Sequence, residues 1–145
     1  MTKAVLDTNV LASGVLGFAA AEQAPSRLLH LWQEQRFELI VSEPILAELI
    51  NTMEKPYFRQ RLTVDQIRST QRLLQDRATL VSLTASVSGV ATHSEDDLVL
   101  AAAVSARADY LVTGDKQLQL LGAYRGVRIL SPRAFLDLLE TTGAE

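Results

Sequence analysis

Tyr110-Leu111-Val112-Thr113-Gly114-Asp115 is an apolar run that stops abruptly at an aspartate, and Ala4-Val5-Leu6-Asp7 does the same near the N-terminus. Continuous rather than alternating apolar residues mark strands buried on both faces, as in a parallel sheet. An acid closing such a strand lies at the carboxyl edge of the sheet, where open α/β folds bind their ligands. Two more acids fall around that edge. Glu48 sits early in the helix predicted from Ser42-Glu43-Pro44-Ile45-Leu46, and Asp97 early in the helix predicted from Ser94. Right-handed crossovers carry such turns to the strand ends.

Outward from these segments, strand and helix alternate. Strands are predicted before Asp7 and at Phe37 to Val41, Thr79 to Leu83, Tyr110 to Thr113 and Val127 to Ile129. Helices are predicted from Thr8 to near Gly17, from Pro25-Ser26, from the N-cap Ser42 with Pro44 in its first turn, and from the capping-box pair Thr63 and Gln66. Others open at Ser94 and Ser131-Pro132, with a short one at Leu118 to Leu121, while Gly17 to Pro25 and Thr84 to His93 read as loops. The alternation predicts an α/β protein with a mostly parallel sheet. With 145 residues, no internal repeat and no linker, residues 1–145 read as a single domain.

Composition narrows the function classes. An apolar fraction of 48% with 21% charged residues is that of a soluble globular chain, and no window reaches the ~20 apolar residues that span a bilayer. Met1 to Asp7 meets an acid too early for a secretory leader. Without cysteine there is no disulfide and no thiolate metal site, which fits a cytoplasmic protein. The net charge of −3 argues against a general nucleic-acid binder, but not against an enzyme whose metal ions attract phosphate. Charge is uneven: Lys55, Arg59, Arg61, Arg68, Arg72 and Arg77 outnumber Glu54, Asp65 and Asp76, giving either a solvated helix face or a phosphate-tracking surface.

Singly, each acid has a structural explanation. Asp7 and Asp115 suit helix N-caps, Asp97 can back-bond to a Ser94 cap, and Glu48 can be a helix-rim residue. Together they are costly, because two like charges ~4 Å apart repel by roughly 4 kcal/mol at an effective dielectric of 20. Such a cluster shifts its pKa values or recruits a cation. Oxygen-only ligands suit Mg²⁺ or Mn²⁺ rather than Zn²⁺. Ions so held activate a water and polarise a phosphoryl oxygen, the chemistry of phosphodiester hydrolysis. Thr8, Asn9 and Thr113 offer hydroxyl and amide groups beside the acids.

VLDTNVL at residues 5–11 (with Asp7), the glutamate of SEPILAEL, DDLVLAAA and YLVTGD together resemble the PIN domain family, in the right order and over essentially the whole chain. The likeness is greatest to bacterial toxin components of toxin–antitoxin systems, similar to VapC toxins. It implies a three-layer α/β/α sandwich around a mostly parallel, four- or five-stranded sheet. It also implies a Mg²⁺- or Mn²⁺-dependent endoribonuclease with an RNA substrate, a cognate antitoxin and a homodimer. Carried over by position, the metal-binding quartet is Asp7, Glu48, Asp97 and Asp115, with Thr113 as polar helper. Either Asp96 or Asp97 can serve as the third acid; Asp97 is preferred because Leu98-Val99-Leu100-Ala101-Ala102 follows it in the family's phase.

His30, among Leu28, Leu29, Leu31 and Trp32, reads as a structural histidine, and His93 as a loop residue near the acids. Phe18 and Trp32 read as core or dimer-contact residues. The helices from Pro25 to Trp32 and Glu43 to Met53 are candidates for a partner-binding face. A receiver domain would want an acidic pair after the first strand, and a DxDxT phosphatase a second aspartate where Asn9 stands. A non-catalytic module that binds RNA or protein through a PIN-like fold is the alternative.

Overall fold

The computed structural model describes residues 1–19, 22–91 and 94–142, for Glu95 and Thr142 through the backbone alone. Its elements run β1 (Lys3–Leu6), α1 (Thr8–Leu16), α2 (Ala24–Gln33), β2 (Glu38–Val41), α3 (Glu43–Met53), α4 (Pro56–Arg59), α5 (Val64–Arg77) and β3 (Thr79–Leu80). They continue through α6 (Ser94–Ser105), β4 (Tyr110–Val112), α7 (Lys116–Leu121), β5 (Ala123–Tyr124), β6 (Val127–Leu130) and α8 (Pro132–Thr142). The fold is α/β, with helices flanking a central sheet of order β3-β2-β1-β4-β6-β5. Every pairing is parallel except β5 with β6.

The strand order locates a crevice before any side chain is considered. From β1 the chain builds outward through β2 to β3, then returns to place β4 on the other side of β1. The direction of winding therefore switches between β1 and β4, whose carboxyl ends flank the natural ligand site of such a sheet. Asp7 N–H donates to the Val112 carbonyl at 2.9 Å, which carries the β1–β4 pairing up to the first acid.

Burial explains the continuous apolar reading of the strands. Ala4, Val5, Leu6, Leu39, Ile40, Val41, Leu111 and Val112 are all at most 1% exposed. α6 lies against β1, β2 and β4, while α1 packs on α2 and α3, and α2 on α8. The α1–α2 approach needs a glycine: a Cβ on Gly14 would come within 2.7 Å of Leu29 Cδ1 and 2.9 Å of the Pro25 carbonyl oxygen. On the far side, Phe135 of α8 meets Phe37 edge-on, with ring centroids 5.2 Å apart.

Capping predictions and helix boundaries agree closely. Ser42 accepts from Ile45 N–H and opens α3, and Thr63 with Gln66 forms the reciprocal capping box of α5. The sheet differs from the four or five strands expected. The strand expected at Thr79 to Leu83 keeps ladder geometry only at Thr79–Leu80, both exposed at the sheet edge. An additional strand, β5, turns back onto β6 through Arg125 (φ 47°) and Gly126 (φ 86°). Positive φ at both central residues is the two-residue hairpin geometry that matches strand twist. α4, a single turn after Lys55, also escapes the helical pattern because it is too short to show a period.

Candidate active site

Each acid reaches the switch-point edge by local rules. Asp7 ends β1 and caps α1, its Oδ1 accepting from Val10 N–H at 2.9 Å. Asp115 follows β4 and caps α7, its Oδ1 accepting from Gln117 and Leu118 N–H at 2.8 and 3.3 Å. Glu48 sits in the second turn of α3, half-buried. Asp96 and Asp97 begin α6. The capping roles expected for Asp7 and Asp115 are therefore real, and they fix where those carboxylates stand.

Thr113 ties the two strand-end acids together. It is fully buried, its hydroxyl donates to Asp7 Oδ2, and its oxygen accepts from Asp115 N–H at 3.0 Å. The Gln119 side-chain amide donates to the Thr113 carbonyl at 2.7 Å, so the turn is held from both sides. Thr113→Val keeps the shape but leaves the Asp115 amide unpaired and removes a donor from a buried carboxylate. We expect it to cost about 1–3 kcal/mol in urea denaturation. Thr113→Ser should stay within about 1 kcal/mol of wild type, since it loses only a methyl group. A Val variant as stable as Ser would mean the hydroxyl does not hold the site.

Burial pushes the Asp7 carboxyl above its ordinary pKa of 3.8, partly offset by hydrogen bonds from Thr113, Val10 and Gly114, while the charge of Asp115 pushes further up. Asp7 is only 6% exposed. A buried carboxylate with a second one beside it favours a cation or a proton.

Two cavities adjoin along this edge. One, of about 270 Å³, is lined by Asp7, Thr8, Asn9, Glu48, Lys55 and Asp96 among others. The other, of about 470 Å³, is lined by Asp7, Asn9, Ser13, Asp96, Gly114 and Asp115 among others. Asp7 and Asp96 border both, so the two hollows share a wall. Among the described residues, no three Asp, Glu or His side chains stand close enough together to hold a metal ion by themselves. The donors are instead arrayed around an open cleft.

Asp97, the preferred third acid from sequence, lines neither cavity and is engaged elsewhere. Its Oδ2 accepts from Gly89 N–H at 3.0 Å, and its Oδ1 from Val90 and Ala91 N–H at 3.2 and 2.7 Å. The carboxylate clasps the loop before α6 rather than facing the cleft. Successive helical residues point about 100° apart, so the neighbour Asp96, in phase with the cleft-lining Val99, meets the cavities instead. The expected back-bond from Asp97 to a Ser94 cap is replaced by this clasp.

Lys55, like Thr52 and Ser13, is a cleft residue the sequence did not single out as a site residue; it joins the wall where the chain bends between α3 and α4. His30 stacks on Phe18, centroids 3.9 Å apart, with Nε2 2.7 Å from the Phe18 carbonyl, which is a structural role. His93 lies outside the described residues. The apolar residues of α2 and α3 proposed as a partner face, Leu28, Leu31, Ile45 and Leu49 among them, are buried in the core. Leu29 and Trp32 instead border a separate, mainly apolar cleft of about 340 Å³, with Phe18 and Leu73.

The model of the PIN domain matches residues 3–117 of the chain. No curated protein matches the sequence. Among solved structures, the chain is similar to VapBC2 from Rickettsia felis bound to a DNA fragment from their promoter, with a TM-score of 0.57 and 16% identity. That match covers 88% of this chain and 97% of the other. It is also similar to the RRP44 PIN domain of T. brucei, with a TM-score of 0.52 and 17% identity over 99% of this chain and 84% of that one. No helix among the described residues is long and apolar enough to cross a membrane.

Proposed function

The chain belongs to the PIN domain family, whose members are generally nucleases, and on that premise we propose that it is a metal-dependent endoribonuclease, the toxin of a toxin–antitoxin pair. The observation that carries this reading is the convergence of Asp7, Glu48, Asp96 and Asp115, from four separate elements, on two cavities with a common wall. The donor set fits the group. It is all oxygen, and Mg²⁺ characteristically keeps several waters and takes only one or two carboxylates directly, with substrate phosphate supplying the rest. An open cleft suits that better than a closed cage.

Asp7, Glu48, Asp96 and Asp115 would hold Mg²⁺ or Mn²⁺. When bound, the metal supplies Lewis acidity toward a phosphoryl oxygen and lowers the pKa of a water in its shell. The chain's own contribution is positioning. Thr113 fixes the angle of the Asp7 carboxylate, the caps of α1 and α7 fix the backbones that carry Asp7 and Asp115, and exposed Asn9 borders both hollows. The chain has no cysteine, and His30 is bound to Phe18 away from the cleft, so water is the nucleophile in this reading and no covalent intermediate forms. Backbone in a single strand or loop can be laid across the cleft, whereas an A-form duplex restricts access. The likeness to VapBC2 supports a cognate antitoxin as partner, and a cytoplasmic setting is part of the same proposal.

The test is direct. Purified protein with Mn²⁺ should cut a panel of structured RNAs in their loops. Chelator and Glu48→Gln should each stop it. Cutting that survives both would come from a contaminant or another site. Failure of wild type on every RNA would overturn the assignment in favour of a non-catalytic RNA- or protein-binding module.

A further inference from the structure

The corner between α3 and α4 joins the acid cleft to an exposed aromatic ring. Lys55 is at once the N-cap residue of α4 and part of the cleft wall, and among the described residues it makes no ion pair with the acids it stands beside. Lys55 thereby brings a positive charge to the wall of a carboxylate-lined site. Two residues on, at most about 7 Å along the chain, Tyr57 leaves 56% of its surface in solvent.

That ring is held, not loose. The Arg61 guanidinium lies over it, 4.0 Å from the centroid, while donating to the Tyr57 carbonyl at 2.8 Å. Phe58 packs against it at 78°, centroids 5.1 Å apart, and is itself anchored on the core. An exposed aromatic ring stiffened by an arginine, next to a lysine, is the combination by which proteins grip single-stranded nucleic acid without reading its sequence. A solvated helix face needs no such ring. Arg59, Arg68 and Arg72, all exposed, extend positive charge from this corner.

Building on the ribonuclease reading, we infer that this corner is the strand grip of the cleft: Lys55 takes the phosphate of the nucleotide adjoining the scissile bond, and Tyr57 stacks on that nucleotide's base. The grip gives preference for unpaired nucleotides, since a base stacked on Tyr57 cannot remain in a duplex. It gives little preference among the four bases, because each has a stacking face.

Binding of a fluorescein-labelled single-stranded RNA 12-mer, followed by anisotropy, tests the grip apart from catalysis. Tyr57→Ala should weaken binding by about 5- to 150-fold, the range found for single base–aromatic stacks. Tyr57→Phe should bind as wild type does. Lys55→Ala should weaken binding and make the slope of log K against log salt shallower by about 0.7. In the cleavage assay Tyr57→Ala should raise KM with kcat little changed, and a 12-mer abasic at the stacked position should affect wild type but not Tyr57→Ala. Weakened binding without cleavage by wild type would uphold the grip and sink the catalytic reading. Normal binding and KM in Tyr57→Ala, with wild-type cleavage intact, would overturn the grip alone. Absence of RNA binding by wild type would overturn both.

Discussion

Asp96→Asn is expected to cut Mn²⁺-dependent RNA cleavage by more than about 100-fold and to lose most of the thermal stabilisation that Mn²⁺ gives wild type. Loss of a partner that merely orients a metal ligand already costs 10- to 100-fold, and Asp96 borders both hollows of the cleft. Asp97→Asn should behave in the opposite way. Its carboxylate accepts three backbone N–H bonds, each worth about 1.5–3 kcal/mol when the acceptor is charged. An amide has one oxygen to offer. The variant should lose about 2 kcal/mol or more and exchange the amide hydrogens of Gly89, Val90 and Ala91 faster, yet still be stabilised by Mn²⁺. If Asp97→Asn abolishes Mn²⁺ stabilisation and Asp96→Asn preserves it, the two aspartates have been assigned the wrong way round.

Asp7→Asn should reverse its rank order with wild type when metal is added. Burial raises the Asp7 pKa above 3.8, so the native state binds this proton more tightly than the unfolded chain does. The sign follows from linkage: stability from this group is fully present below 3.8 and declines as pH climbs through the raised value. At neutral pH, without metal, wild type therefore carries the whole cost of the buried charge, and Asn, also a favoured N-cap residue, carries none. In chelator Asp7→Asn should unfold no earlier than wild type, with the difference shrinking as pH falls toward 4. Mn²⁺ at 100 times its Kd stabilises wild type by about 2.7 kcal/mol, roughly 8 °C for a chain of this size. The variant should gain little of this. Equal gains in thermal scans would remove Asp7 from the ligand set.

What could be read from the sequence follows from how local each signal is. Strands β1 and β4 announce themselves because burial on both faces demands unbroken apolar runs, and the acids that close them mark the sheet edge. Ser42 with Pro44 and Thr63 with Gln66 are cap signals settled within four residues. β5, two residues long, and α4, one turn long, are shorter than any period that could reveal them. The identity of the acid facing the cleft depends on rotation about α6. The apolar phase of Leu98 to Ala102 favours Asp97, but that phase alone does not fix the rotation, and Asp97 is the acid that turns to the loop while Asp96 borders the cavities. Lys55 enters the cleft through a bend between two helices that a linear reading of its charge run cannot show.

The clasp made by Asp97 has a consequence for how the preceding loop can vary. Its three bonds are to main-chain amides, groups every residue but proline carries, so the attachment specifies the path of the loop and almost nothing about its side chains. Gly89 is the exception, since its φ of 71° disfavours other residues. Val87, Val90 and Ala91 also pack on the core, so it is at the exposed positions of residues 84–91 that substitutions can be made without unfastening the clasp. A loop fastened by its backbone can exchange its exposed side chains while the helix that holds it keeps its place.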